Sequence, residues 1–360
     1  MRKRFAIACL AGMMVVFAGG LAEAADITWI HQCNNIDTEV CNPNDQGFVD
    51  VLESAGHVVT RDNGLYQDGN GGEGPGPHVD TLNAQDLLIF SLETSSGRYD
   101  GGSGDPDLTI WNDITTPTIF MSPWMARGNR HKWLNTETVN QASVPNTATM
   151  TATDPNHPLF SNGVLDGNNQ WRHMDQYEGD VNGGLTSVGN GTLLATIDGV
   201  AADADKYIVY WDAGTEFYSG SGFTPAGPRL LLNGGGSSNG TAPAEGAYNL
   251  SADGEQILLN AVNWLTPFEG FPGDVNMDNV VDDADLTIIR SNYFKANVLR
   301  TDGDLNNDNI VDFLDYRQWT DNDGNVYTPP LSAAAAVPEP TCLGLALLGG
   351  VALFGIRRRS

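Results

Sequence analysis

Along the first half of the chain, apolar residues fall into short unbroken runs set apart by polar stretches. Ile27-Thr28-Trp29-Ile30, His57-Val58-Val59-Thr60, Asp86-Leu87-Leu88-Ile89-Phe90-Ser91 and Pro117-Thr118-Ile119-Phe120-Met121-Ser122 each read as a strand. Between the first two, Phe48, Val51, Leu52 and Ala55 recur at helical spacing, and Gly56 closes that helix. A second short helix is expected from Leu108 to Ile114. Strands that are apolar throughout and separated by helices fit a parallel sheet covered on both faces, so residues 25–268 are expected to form an α/β domain.

The pattern loosens from Val139 to Leu232, where Thr, Gly and Asn are frequent and the strands are less regular, Lys206 to Trp211 and Arg229 to Leu232 among them. A last helix is clear: Ser251 is placed as its N-cap, Ile257, Leu258, Ala261, Val262 and Leu265 form its apolar stripe, and Pro267 stops it. Gly64 to Pro77, Gly97 to Pro106 and Gly234 to Gly246 read as surface loops. None has a phosphate-loop pattern, and Asp68 and Glu73 would repel a phosphate.

The longest apolar runs lie at the two ends. Met1-Arg2-Lys3-Arg4, the run from Phe5 to Leu21 and Ala22-Glu23-Ala24 have the order of a secretory signal peptide over residues 1–24, cleaved after Ala24. After a linker at 324–336, residues 337–360 carry Val337-Pro338-Glu339-Pro340, sixteen mostly apolar residues from Thr341 to Ile356, and Arg357-Arg358-Arg359. A helix of that length spans about 24 Å against about 30 Å of hydrocarbon, which makes it a marginal anchor with its arginines on the cytoplasmic side. This end resembles the PEP-CTERM sorting signal. The resemblance implies an exosortase-type sorting enzyme as partner, transient inner-membrane insertion through a short transmembrane helix, and then a cell-surface or extracellular location.

The formal charge is −27. Removing the first 24 residues takes away a net +2, and removing the chain beyond Pro340 takes away three arginines, leaving −32. Such a chain repels nucleic acid and attracts divalent cations. Cys33 and Cys41 remain in the mature part, and both a local disulfide and two buried thiols are open to them.

Within residues 273–323 an acidic pattern occurs twice, thirty residues apart. Asp274, Asn276, Asp278, Val280 and Asp285 stand at positions 1, 3, 5, 7 and 12 of one loop, and Asp304, Asn306, Asp308, Ile310 and Asp315 at those of the other. Side-chain oxygens at 1, 3, 5 and 12 with a carbonyl at 7 are the set that a hard cation such as Ca²⁺ takes in a twelve-residue loop. Asn279 and Asn309 occupy position 6, where Asn tolerates the left-handed turn. The segment holds twelve Asp against four basic residues, a charge of −8 that two Ca²⁺ ions would halve. Leu286 matches Tyr316 and Ile289 matches Trp319, so two loop-helix units are expected to pack together. The pair resembles a type I dockerin, a small α-helical double calcium-loop module. The resemblance implies two bound Ca²⁺ ions and a cohesin-like partner met at loop positions 10 and 11, here Asp283-Ala284 and Phe313-Leu314.

The order of elements over residues 26–267, with Asn34-Asn35, Asp154-Pro155-Asn156-His157-Pro158 and the closing Asn260-Ala261-Val262-Asn263-Trp264-Leu265, resembles a flavodoxin-like, class I glutamine-amidotransferase-like domain. Ligands in such sheets sit at the carboxyl ends of the strands, which here carry His31, Glu93 and Ser122. Ser122 stands where that family places its nucleophilic cysteine, but Pro123 has no N–H to donate to an oxyanion, and no nucleophile-elbow glycines flank it. His157 reads as a turn residue, and the six histidines lack metal-ligand spacing. A non-catalytic surface binding or structural protein is therefore expected, with a surface polysaccharide as a further candidate partner. The rival is a secreted hydrolase acting on polysaccharide or another extracellular substrate, which would need paired carboxylates such as Glu93 and Asp175 at glycosidase separation.

Overall fold

The computed structural model describes residues 24–31, 43–68, 72–92, 94, 96–99, 106–137, 139–143, 148–175, 180–201, 205–234, 247–266, 272–276, 278, 280–296, 298, 300–306 and 310–326. Cys33, Cys41, Glu93, Asn279, Asp308, Asn309, residues 1–23 of the expected signal peptide, most of the linker and the whole sorting tail lie outside them. Among the described residues no helix is long and apolar enough to cross a membrane.

Strands and helices alternate through the first part: β1 (Asp26–Ile30), α1 (Gln46–Ser54), β2 (Val58–Arg61), α2 (Val79–Asn83), β3 (Leu87–Phe90), α3 (Asp107–Asp113) and β4 (Thr118–Phe120). There follow β5 (Asn140–Ser143), β6 (Met150–Ala152), β7 (Gln170–Trp171), β8 (Asp180–Gly184), β9 (Thr192–Ile197), β10 (Lys206–Trp211), β11 (Arg229–Leu232) and the long helix α4 (Ala252–Leu265). Nine strands make one sheet in the order β2-β1-β3-β4-β11-β10-β9-β6-β7, while β5 and β8 pair separately.

The domain is α/β as expected, but the sheet is mixed where a parallel one was anticipated. β2, β1, β3, β4 and β11 run parallel; β10, β9, β6 and β7 each run antiparallel to the strand before them in that order. Parallel neighbours need a crossover, usually helical, and no α-helix occurs between β4 and β11 among the described residues. The chain there turns back on itself, and its strands pair antiparallel.

Side-chain alternation divides the core between the two faces of the sheet. Trp29, Ile89 and Leu230 pack with Phe48 and Leu52 of α1 and with Ile257 and Ala261 of α4. Leu88, Phe90 and Leu231 face the other way, toward Leu82 of α2 and Trp111 of α3. α4 starts where its cap predicts, with Ser251 Oγ accepting from the Gly254 N–H at 3.1 Å. Two sequence phrases about a hundred residues apart meet here. Asn260 donates to the carbonyls of Leu159 and Ser161 at 3.1 and 2.9 Å, and the His157 ring meets Trp264 edge-on at 4.5 Å.

Arg229 opens β11 yet is only 1% exposed. Its guanidinium donates to the carbonyls of Ile114 at 2.6 Å, Thr116 at 3.1 Å, Trp111 at 3.2 Å and Asn112 at 3.3 Å, gathering the end of α3 onto the sheet. A cation beside the carbonyl end of a helix is favourable, although burial lowers the pKa of this one to about 9.

In the acidic repeat, α5 (Asp283–Asn292) and α6 (Phe313–Asn322) each begin with a capping box, formed by Asp282 with Asp285 and by Asp312 with Asp315. Of the matched positions, Leu286, Ile289 and Trp319 belong to one small core shared by the two units, with Tyr316 packed against it, and Val311 joins them.

Candidate functional sites at the strand ends and in the acidic loops

At the carboxyl ends of the parallel strands, chain direction across the sheet reverses between β1 and β3, the position where open α/β sheets hold ligands. The sequence-predicted residues His31 and Ser122 do lie at this end, each 2% exposed, beside Ser91 at 0% and Asn233 at 1%. The described strand ends thus present buried side chains. Glu93 lies outside the described residues. Asp175 follows β7, remote in the strand order, where it faces Arg172 at 3.6 Å.

Around His31 the structure assembles a polar cluster that the sequence did not single out. Arg61 donates to Asp45 Oδ1 at 2.8 Å and approaches His31 Nδ1 at 3.3 Å, while Trp29 Nε1 donates to Asp45 Oδ2 at 2.6 Å. Burial lowers the His31 pKa, with Asp45 and Arg61 acting in opposite directions. The ring is therefore neutral, accepting from Arg61 at Nδ1 and donating from Nε2 to Asn63 Oδ1 at 3.3 Å. Asp62 Oδ1 accepts from the His31 N–H at 2.9 Å, while its Oδ2 has no hydrogen-bond partner among the described residues. Burial raises the Asp62 pKa to about 7, outweighing the backbone amides of His31, Gly64 and Tyr66 that favour its charged form. The only signal for Asp45 and Arg61 was their charge beside apolar elements, because the two stand sixteen residues apart with no motif linking them.

Ser122 is followed by Pro123, which has no N–H to offer an oxyanion. No hydrogen bond joins Ser122 to a histidine or a carboxylate among the described residues, and burial makes His131 and His173 weak bases. His131 sits 4.9 Å from Phe120 and 5.9 Å from Phe90, ring to ring, with its pKa lowered to about 3 by burial and then by Arg229 and Arg130. His173 accepts from Trp171 at Nδ1 and donates to the Asn233 carbonyl at 3.0 Å, with its pKa lowered to about 4 by burial. His157 is the turn residue expected, its Nδ1 accepting from the Leu159 N–H at 3.2 Å. A cavity of about 380 Å³ lies at the antiparallel edge, lined among others by Val164, Asp166, Trp171, Arg172 and Asp253, and it includes none of the residues anticipated from the sequence.

The two acidic loops repeat each other bond for bond at position 12. Asp285 Oδ1 accepts from the N–H groups of Val275 and Asn276 at 2.7 and 2.9 Å, and its Oδ2 from Asp282 at 2.9 Å. Asp315 Oδ1 accepts from Leu305 and Asn306 at 2.8 and 3.2 Å, and its Oδ2 from Asp312 at 2.7 Å. Positions 1 and 12 are buried in both loops: Asp274 1%, Asp285 0%, Asp304 2% and Asp315 0% exposed. Positions 3 and 5 of the first loop lie further out, with Asn276 Oδ1 accepting from the Asp278 N–H at 3.0 Å and Asp278 Oδ1 from the Val280 N–H at 2.9 Å. Asn306 is exposed and Ile310 is 42% exposed. Among the described residues no three acidic, His or Cys side chains converge closely enough to hold a metal, and the position-12 carboxylates accept from backbone amides.

No protein-family model matches the chain, and a search of curated proteins returns no relative.

Proposed function

We propose that this chain is an exported surface protein in which a non-catalytic α/β binding domain is carried by a dockerin-like repeat that binds two Ca²⁺ ions. The observation that carries the reading is the matched burial of carboxylates in the two loops. A buried carboxylate is costly unless amides or a cation balance it, and here the same positions are buried twice at a thirty-residue interval. The donor chemistry suits a hard cation, since every anticipated ligand offers oxygen: Asp274, Asn276, Asp278, the Val280 carbonyl and Asp285 in one loop, and Asp304, Asn306, Asp308, the Ile310 carbonyl and Asp315 in the other. Bound Ca²⁺ supplies charge neutralisation. The chain's own part is to fix the loop ends through the Asp285 and Asp315 capping boxes.

For the larger domain, the order β2-β1-β3-β4-β11 supports a flavodoxin-like kinship, since it is the 2-1-3-4-5 order of doubly wound sheets. Buried strand ends and a serine without a base favour binding or scaffolding over hydrolysis. Phe313 and Leu314, at positions 10 and 11 of the second loop, are 62% and 53% exposed, which suits contact with a cohesin-like partner. The Pro338-Glu339-Pro340 tail adds processing by an exosortase-type enzyme and a cell-surface or extracellular destination. The test is metal analysis of the full chain after dialysis against calcium. Two tightly held Ca²⁺ ions per chain are expected, and a chain that stays metal-free at millimolar calcium would refute the reading.

A further inference from the structure

We infer that the loops following β3 and β4 form a binding site for an oxyanion, the carboxylate or phosphate group of a small ligand, held by Arg127, Arg130 and Ser96. The inference rests on the reading of the α/β domain as a binding domain and goes on to name the chemistry that it binds.

β3 and β4 are parallel neighbours, so the loops leaving their carboxyl ends start side by side, at the end of the sheet where α/β domains hold ligands. The first loop carries Ser96 in the short 3-10 turn Ser96–Arg98, and the second runs from Ser122 through Trp124 to Arg130. Residues 124–132 hold three basic side chains, Arg127, Arg130 and Lys132, and no acidic one, in a chain whose formal charge is −27. The second loop closes on itself. The Arg127 carbonyl accepts from the N–H groups of Arg130 and Lys132, each at 2.9 Å, and the Gly128 N–H donates to the Thr136 carbonyl at 2.7 Å. Both arginines are thereby carried by one tight turn.

Their guanidinium groups converge on a single hydroxyl. Arg127 Nη2 and Arg130 Nε donate to Ser96 Oγ at 2.9 and 3.2 Å. Arg127 is fixed further by its Nε on the Trp124 carbonyl at 3.0 Å, by its Nη1 on the Glu137 carbonyl at 3.2 Å, and by its place over the Trp124 ring at 4.6 Å. Arg130 Nη1 donates to the Asn129 carbonyl at 2.9 Å. Two cations drawn onto one neutral acceptor repel each other, and an anion placed between them is attracted by both. Guanidinium planes anchored in this way are pre-organised forks for a carboxylate or a phosphate. Both side chains are half-buried rather than enclosed, which leaves them a side open to solvent.

The other polar groups at this spot are donors too. Ser96 is 8% exposed, and because its Oγ accepts from both arginines, its own O–H is left to donate; no acceptor for it occurs among the described residues. The indole N–H of Trp124, the ring on which Arg127 lies, is buried and likewise finds no acceptor among them. Cations together with unspent donors call for a ligand group that only accepts, which is what an oxyanion is. The charge of the whole chain narrows the choice. A polymer of dense negative charge would be repelled by the rest of the protein, whereas a small ligand with one oxyanion meets chiefly the local pair.

The experiment titrates the purified full chain, kept in calcium, with galacturonate, inorganic phosphate and galactose. It is followed by calorimetry and by the Nε–H resonances of Arg127 and Arg130. Galacturonate or phosphate is expected to bind at millimolar concentration or below and to shift both arginine resonances, while galactose, which lacks the anion, does neither. The tighter of the two anions tells a carboxylate ligand from a phosphate one. Arg130→Gln should weaken that binding by about tenfold or more, the usual weight of a hydrogen bond to a charged group. Arg130→Lys, which keeps the charge without the fork, should fall between the two. If Arg130→Gln fails to fold, the arginine resonances of the wild type carry the test by themselves. No binding of either anion at millimolar concentration, equal binding of galactose, or an affinity unchanged in a folded Arg130→Gln would overturn the site and leave the binding reading intact. Turnover of galacturonate would overturn the non-catalytic reading and leave the site standing.

Discussion

In the α/β domain Arg229 is a buried cation ringed by five backbone carbonyls; in the acidic repeat Asp285 and Asp315 are buried anions, each met by three backbone amides. Both regions use peptide dipoles to balance a buried charge. They differ in what is left over. Around Arg229 the carbonyls that end α3 need a donor and the guanidinium supplies it, so the arrangement is complete within the chain. In the repeat, Asp274 and Asp304 are buried beside Arg300, whose pKa burial lowers while those two carboxylates act against that, and the segment as a whole carries a charge of −8. On the calcium reading proposed above, one region is specified by its own sequence and the other jointly by sequence and cation.

The largest effect that would sharpen this contrast is expected from Arg229→Leu. It strips several buried carbonyls of their donor and should lower the stability of the α/β domain by about 3 kcal/mol or more. Urea unfolding, monitored by tryptophan emission in calcium and in chelator, should give the same loss in both. A loss that calcium changes would mean that the two regions are not independent.

A smaller effect is expected from pH. His131, His157 and His173 have pKa values lowered by burial to about 3, 4 and 4, against 6.5 when unperturbed. Folded imidazoles therefore bind fewer protons than unfolded ones between those values and 6.5. Their contribution is complete above pH 6.5 and is lost as the pH falls toward 4. Asp62, raised to about 7, acts in the opposite sense: the folded chain keeps a proton that the unfolded chain has released, so this group lowers stability as the pH rises from 3.8 to 7. Three histidines against one carboxyl give a net loss on acidification. His131→Leu should flatten it, and denaturation midpoints at pH 7 and pH 5 that do not differ would refute the balance.

The smallest effect is expected from Ser122→Ala, which should leave binding and any residual turnover unchanged. Assays of the purified chain on glutamine, simple esters and common polysaccharides are the check. Turnover that disappears in the variant would move the α/β domain from binding to catalysis.

How much of this was legible beforehand follows from how local each feature is. The strands from β1 to β4, the helix stripe of α4 and its Ser251 cap are written in consecutive residues, and they appear within a few positions of where periodicity puts them. β6 and β7 have three and two residues, too few for alternation to register, and were not read, whereas Lys206 to Trp211 in the same half was read and is β10. The acidic repeat is a local pattern, its two copies thirty residues apart, and could be read residue by residue. The His31, Asp45, Arg61 and Asp62 cluster could not, because its members come from three separate elements and meet only in the folded chain. Arg229 did leave a trace, a lone charge at the head of Leu230-Leu231-Leu232, but nothing local says that such a residue points inward.

The pairing of Val280 with Val326 brings together the points at which the chain enters and leaves the acidic repeat, and Gly273 lies against Asn322 at the same place. For the chain on either side, about fifty residues of folded protein therefore take up little more length than a turn. A unit whose ends meet can be spliced into or out of a longer protein without stretching its neighbours, which makes this one portable between unrelated domains and tolerant of where in a chain it is placed.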